Sequence, residues 1–285
     1  MYADLHVHST FSDGTDTPGE LLRLAAAHGL RVLAITDHDS VQGVSAALAL
    51  PEAERCGVAL LSAIEVSTLH NRRFLHVLGY GVDIESPALS SYLTEVSRDK
   101  TENTRINFEN ARSTGAFAYR WERVLALNPG QSRLSGVHVV AAMRQDGVLP
   151  QSLTYRELFW EYFRPEGASF IQTEKATGYD AVDIIKKSGG VPVIAHPKLV
   201  ENDALVLDLI RYGAQGIEVY YPLHTPQETQ KYLQMAQDKG VMVTGGSDWH
   251  GGNSGPDVTA IGCAGLPSSD FPILQCIPPL WPACS

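Results

Sequence analysis

Histidines and acids fall at selected points of this 285-residue chain. His6 and His8 stand two apart at the end of an apolar run, so on a strand both imidazoles point to one side. Asp13 follows in the next turn, Asp37-His38 closes the run RVLAIT, and Glu65 and His76 lie on the next two apolar runs. His196 ends VPVIA, Glu218 lies in GIEVY, and Asp248 and His250 follow VTGGS. Nitrogen and oxygen ligands without a thiolate suit Mn, Fe, Zn or Mg better than copper or an iron–sulfur cluster. So many ligands imply more than one ion, with a carboxylate bridging two of them. Clustered cations acidify a shared water and neutralise attacking and leaving oxygens. Phosphate esters need such help because the reacting group is already anionic. The expected chemistry is hydrolysis of a phosphate monoester by in-line attack of a metal-bridging hydroxide. His28 and His70 gain nothing from position and are read as structural.

The elements that must gather these residues are short apolar runs alternating with amphipathic stretches. Tyr2 to Val7 reads as a strand, and a helix opens at Thr17-Pro18-Gly19-Glu20, where Thr17 caps, Pro18 suits the first position and Glu20 completes a capping box. Arg31 to Thr36 is the next strand, Val41 to Cys56 a helix, and Val58 to Val66 and Phe74 to Leu78 strands. From Asp180 the rhythm resumes with helices at Asp180 to Gly189, Asp203 to Gly213 and Gln227 to Gly240, and strands at Val191 to Ala195, Gly216 to Tyr220 and Val241 to Gly245. Repeated strand–helix units imply a parallel sheet, barrel or doubly wound, whose strand ends share one face. The gap between breaks the rhythm: helical stretches at Leu89 to Thr114 and His138 to Asp146 precede the aromatic run YRELFWEYF. This divides the chain into a catalytic unit of residues 1–86 and 180–275, a helical insertion of 87–179 over the site's mouth, and an irregular, proline-rich tail of 276–285.

Composition narrows the class. The net charge of −10 argues against coating duplex nucleic acid or an anionic membrane, though bound metals can still invert the local field for a small anion. Cys56, Cys263, Cys276 and Cys284 form no close pair, which gives neither a zinc–thiolate site nor a disulfide framework. The start MYADLHVHST reads as no signal peptide and no run reaches a membrane span, so a cytoplasmic protein is expected.

The ordered motifs DLHVHST-FSDG, AITDHD, IEVS, HVLGYG, IAHP and GSDWH resemble those of the PHP (polymerase and histidinol phosphatase) family over nearly the whole chain. Within that family the chain is similar to small phosphoesterases acting on nucleoside 3′,5′-bisphosphates and short RNA 5′ ends. The resemblance implies a distorted (β/α)7 barrel with a helical insertion, holding two or three divalent ions, manganese first among Mn, Fe, Zn and Mg. It would place His6, His8, Glu65 and Asp248 on the first ion, with Glu65 bridging to a second held also by His76 and His196. Asp13, His38 and His250 would hold the third. Glu65, His196 and Asp248 are the expected catalytic residues. Asp37 would orient a neighbouring histidine, and Glu218 would do the same or simply end a strand.

The segment NPGQSRLSGVHVVAAM resembles the family's substrate segment, although Gly136 stands nearer the usual position of its arginine. Arg133 is the expected phosphate fork, with His138 beside the substrate and His224, in YYPLHT, in the pocket. The expected partner is a small phosphorylated molecule, a nucleotide above all, with aromatics of the insertion stacking on its base. Histidinol phosphate or another small metabolite is the alternative substrate. A non-catalytic metal-binding interaction module is the alternative class, one that goes with lost ligands, and none is lost here.

Overall fold

The computed structural model describes residues 1–149 and 155–282. Strands β1 (Ala3–Val7), β2 (Val32–Ile35) and β3 (Ala59–Leu61) pair in parallel in that order. A second sheet runs β4 (Ala63–His70), β5 (Arg73–Tyr80), β6 (Val191–Ile194), β7 (Gly216–Tyr220) and β8 (Met242–Gly245). Two parallel bridges join the sheets, Val7 to Trp249 at one seam and His38 to Glu65 at the other. The result is a mixed α/β fold with buried apolar clusters on each side of its strands.

Local sequence chemistry explains the elements. Helix α1 (Pro18–Ala27) carries the expected box: Glu20 N–H donates to Thr17 Oγ1 at 3.3 Å, and Thr17 N–H to Glu20 Oε2 at 2.7 Å. The stretch read as one helix to Cys56 ends early. Helix α2 (Gln42–Leu48) stops before Pro51, which has no N–H to continue it. The strand read from Val58 to Val66 divides at Ser62 into β3 and β4. The sheet is also not parallel throughout, because β5 runs antiparallel to both β4 and β6. That reversal brings His76, near the start of β5, to the rim where β6 and β7 end.

Helices also cover the strands: α7 (Gly178–Lys187), α8 (Pro197–Val200), α9 (Asp203–Tyr212), α10 (Pro226–Lys239) and α11 (Pro272–Cys276). The terminal segment is irregular yet pinned. Trp281 is buried, its Nε1–H donates to Val58 O at 2.8 Å, and Leu280 N–H donates to Leu60 O. Residues 283–285, with Cys284, lie outside the described residues.

Between β5 and β6 lie α3 (Pro87–Ser113), α4 (Trp121–Leu127), α5 (Gly136–Gln145) and α6 (Tyr155–Phe163), with an apolar core of their own built from Phe108, Val139, Met143 and Leu158. One face of α3 fastens the segment 169–174. Asn110 Nδ2 donates to Ser169 O at 2.8 Å, and Asn107 takes Ile171 N–H at 2.7 Å while donating to Ile171 O at 2.9 Å. Asn103 Oδ1 accepts both the N–H and the hydroxyl of Thr173 at 2.8 Å, and Lys100 Nζ meets Glu174 at 2.6 Å. Spacings of three and four residues put these four side chains on one helix face.

Candidate metal centre

Nine side chains from six strand ends and their loops converge on one rim. Glu65 lies at the middle. Its Oε1 is 3.0 Å from His76 Nδ1 and 3.1 Å from His196 Nε2, and its Oε2 is 2.9 Å from His38 Nδ1 and 3.3 Å from both His6 Nε2 and His8 Nε2. Asp248 Oδ1 lies 3.3 Å from His6 Nε2 and 3.1 Å from His8 Nε2. Asp13 Oδ1 lies 3.3 Å from His250 Nε2, and its Oδ2 is 3.9 Å from His38 Nε2.

The donor atoms sort into four overlapping groups, each within 4.8 Å: His8, Asp13, His38 and His250; His6, His8 and Asp248; His6, Glu65 and His196; His38, Glu65 and His76. Within them His6 Nε2, His8 Nε2, Asp13 Oδ1 and Glu65 Oε2 are buried without a hydrogen-bond partner. Buried polar atoms are ordinarily satisfied, so unpartnered lone pairs facing a common centre suit divalent cations. The donor set fits hard-to-borderline ions.

Surrounding residues aim these rings. Glu218 Oε1 accepts from His6 Nδ1 at 2.9 Å, which turns Nε2 inward, and its Oε2 accepts from His196 N–H at 2.8 Å. His250 Nδ1 donates to Asp248 O at 2.8 Å, leaving Nε2 for Asp13. Asp37 touches no histidine: it accepts from Ser9 N–H and Oγ and from Ser12 Oγ, and Ser12 Oγ stands 3.5 Å from His8 Nδ1. Its expected contact with a histidine is therefore replaced by one through serine. Because partners of this kind fix ligand orientation, Glu218→Ala is expected to weaken metal affinity roughly ten- to a hundredfold. Isothermal titration of the metal-free variant checks this, and unchanged affinity would reduce Glu218 to a strand-end acceptor.

Three residues of the rim hold left-handed backbone, Asp39 at φ 50°, His196 at 25° and Asp248 at 55°. Such conformations cost about 1–3 kcal/mol each and persist where surroundings over-determine them. Each has its N–H tied inward: Asp39 to Glu65 O at 2.9 Å, His196 to Glu218, and Asp248 to His6 O at 2.8 Å. Gly246 permits the last, since a Cβ there would lie 2.3 Å from His6 Cβ.

Charge follows the geometry. Burial alone would raise the carboxyls of Glu65, Asp13 and Asp248, but facing imidazoles hold all three well below the usual range. Burial works against protonated His6 and His8. Glu218, Glu65 and Asp248 nevertheless raise His6 well above its ordinary value, and the carboxylates of Asp248 and Glu65 beside it lift His8 to about 10. His38 is pressed by burial down to about 3, against the pull of Glu65 and Asp13.

The three expected substrate residues differ in placement. Arg133 lines a cavity of about 170 Å³ beside Asp13, His38 and His76, shared with Lys100, Phe74 and Phe163. Its Nε lies 3.2 Å from Asp39 Oδ2 and its Nη1 is buried without a hydrogen-bond partner. Gly136 leaves no room for an arginine, because a Cβ there would lie 2.3 Å from Phe163 Cβ. His138 has both ring nitrogens engaged: Nδ1 accepts from Ser135 N–H at 3.1 Å and Nε2 donates to Ser12 O at 2.9 Å. It clasps the insertion to the loop after β1 and offers no free nitrogen. His224 Nδ1 donates to Val219 O, and the ring stacks edge-on with Tyr221 at 5.3 Å, which itself donates to Asp248 Oδ2 at 3.1 Å.

Sequence reading overlooked Asp4, Ser9, Ser12 and Tyr221. Asp4 was open to detection, since it shares the strand face of His6 at a spacing of two. It accepts from Ser247 N–H at 2.9 Å and Gly262 N–H at 2.6 Å, fixing the loop that carries Asp248.

The pattern of a family described as PHP domain matches residues 4–163. The chain is 34% identical to a phosphoribosyl 1,2-cyclic phosphate 1,2-diphosphodiesterase of Eggerthella lenta, over 88% of this chain and 95% of that one. It is also 34% identical to a 3′,5′-nucleoside bisphosphate phosphatase of Chromobacterium violaceum, over 90% of each, and 29% identical to a 5′-3′ exoribonuclease of Salmonella typhimurium, over 87% and 84%. Among solved structures, an amidohydrolase from Chromobacterium violaceum with bound sulfate and no metal superposes with a TM-score of 0.76 at 31% identity, covering 89% of both chains. A predicted metal-dependent phosphoesterase from Bifidobacterium adolescentis gives 0.80 at 27% identity, covering 93% and 92%.

Proposed function

This chain belongs to the PHP domain family and is a phosphoric ester hydrolase, and we propose that it releases phosphate from a nucleoside 3′,5′-bisphosphate or a short oligonucleotide. The observation that carries the reading is the convergence of nine nitrogen and oxygen donors, several of them unpartnered, beside a cavity lined by aromatics and cations. His6, His8, Asp13, His38, Glu65, His76, His196, Asp248 and His250 would hold two or three divalent ions, manganese first among those the donors suit. Such ions, when bound, supply positive charge to the phosphoryl oxygens and acidify water.

The chain's own groups do the rest. Glu65 and Asp248 keep their carboxylates ionised and fix the imidazoles around the reacting phosphate. Arg133, with Nη1 free of a hydrogen-bond partner, holds a phosphate of the substrate as a fork. Phe74 and Phe163 give the cavity an apolar wall. Tyr221, bonded to Asp248 and in ring contact with His224, buttresses that carboxylate.

The test is phosphate release by manganese-loaded protein from adenosine 3′,5′-bisphosphate, histidinol phosphate and phosphoribosyl 1,2-cyclic phosphate. The bisphosphate should give the highest kcat/KM. Faster turnover of the cyclic phosphate would move the assignment to the chemistry of the Eggerthella relative, and turnover of none would end it.

Arg133 carries the substrate preference within this reading. Arg133→Ala should raise KM for the bisphosphate roughly ten- to a hundredfold more than for p-nitrophenyl phosphate, the loss of one charged contact of about 1.5–3 kcal/mol. Steady-state kinetics on both substrates decide it. Equal losses would place Arg133 at the reacting phosphate.

A further inference from the structure

Along one wall of the cavity, a column of stacked groups leads from the ligand cluster to solvent. The Phe74 ring lies 5.5 Å from that of His76, the Arg164 guanidinium sits 4.7 Å above Phe74, and the same guanidinium is 5.3 Å from the Trp160 ring. Phe74 and Arg164 line the cavity, so the column continues its wall. Trp160 is 49% exposed, whereas its helix neighbours Leu158 and Phe163 are buried in the insertion's core. The core of α6 is therefore served without the indole. An exposed tryptophan beside a reactive cavity offers a π-face to any ring that reaches it.

Two arginines, Arg164 and Arg72, stand at the rim near Trp160, alongside Glu157, Glu161 and Glu166 of the same segment. Arg164 pairs with Glu166 at 3.3 Å, and the exposed Arg72 ties the β4–β5 turn to the same rim by donating to Gly167 O at 2.5 Å. Aromatic faces interleaved with arginines are the combination that holds single-stranded nucleic acid, bases on the rings and phosphates on the cations.

We propose that Trp160 is a platform for a second base, so that the site accepts a single-stranded oligonucleotide beyond the nucleotide whose phosphate is cleaved. Trp160 stands three stacked groups from the cluster, and a base resting on it belongs to the next nucleotide along the strand. The proposal deepens the phosphoester reading and rests on it. It commits to one of the two substrate lengths that the reading left open.

The experiment compares binding of a 5′-phosphorylated adenosine trinucleotide and of adenosine 3′,5′-bisphosphate to metal-free wild-type protein, Trp160→Ala and Trp160→Phe, by calorimetry. Trp160→Ala should weaken trinucleotide binding roughly tenfold while leaving the bisphosphate within about twofold, and Trp160→Phe should recover most of the loss. Steady-state kinetics should show the same split, in KM for the trinucleotide and not in kcat. Should Trp160→Ala misfold, Trp160→Leu takes its place, and the indole quenching by the trinucleotide seen in wild type should be lost in Trp160→Phe, which leaves the other three tryptophans in place. Equal effects on both ligands, no effect on either, or no quenching overturn the platform. Failure of the phosphoester reading shows differently, as absence of both phosphate and nucleotide release from either ligand by metal-loaded wild type.

Discussion

Glu65→Gln is expected to lower kcat roughly a thousandfold, the scale seen when a group that organises transition-state charge is removed. Glu65 contacts five imidazoles through its two oxygens, more than any other carboxylate of the cluster. Glutamine keeps the shape but presents one neutral oxygen and an NH₂ that turns donors against ligand nitrogens. Two ions sharing that carboxylate would both be weakened, so metal content of the purified variant should fall together with turnover. Metal analysis and phosphate release on the same preparation test this. Near-normal turnover at limiting metal would remove Glu65 from the centre of the chemistry.

The second large effect is a proton count. In the metal-free chain His8 is lifted to about 10 by Asp248 and Glu65, against burial, so it carries a proton at neutral pH. A histidine raised on folding stabilises the fold fully below its unfolded value and loses that contribution as pH rises through the folded one. The metal-free protein should therefore lose the His8 contribution progressively as pH rises from about 6.5, the unfolded value, to about 10. An ion needs the lone pair that this proton occupies, so binding must expel it. Apparent affinity should rise about tenfold per pH unit for each proton displaced, at neutral pH and above until His8 itself deprotonates. His38, held near 3, is already neutral and adds no proton to the count. Calorimetry in buffers of different ionisation enthalpy counts the protons directly. Affinity that stays flat between about pH 6 and 8 would mean that His8 does not bind the ion.

What the sequence disclosed depended on range. The capping box at Thr17 and Glu20 is local, and it stands as read. The convergence of strand-end histidines follows from a repeated strand–helix rhythm, which composition and spacing reveal. The reversal of β5 was hidden, because alternation along a strand carries no information about direction. The shared role of Glu218 was left open for the same reason: one carboxylate serving His6 and the backbone of His196 is a contact across 212 and 22 residues of chain. His138 looked like a substrate residue by resemblance, yet both its nitrogens are consumed in holding the insertion to the loop after β1.

The asparagines of α3 grip segment 169–174 chiefly by its main chain: Asn107 by both polar backbone groups of Ile171, Asn110 by the carbonyl of Ser169, Asn103 by the amide of Thr173. Main-chain groups are the same in every residue but proline, so the helix dictates the path of the segment and leaves its lettering open. Ile171 and Thr173 are themselves exposed. This border of the cavity can therefore exchange side chains, and with them preferences for what lies in it, while its course across α3 stays constant. A fold that separates route from identity in this way gives a selection experiment a natural place to work: libraries at 171 and 173 would vary the border without touching the nine donors of the cluster.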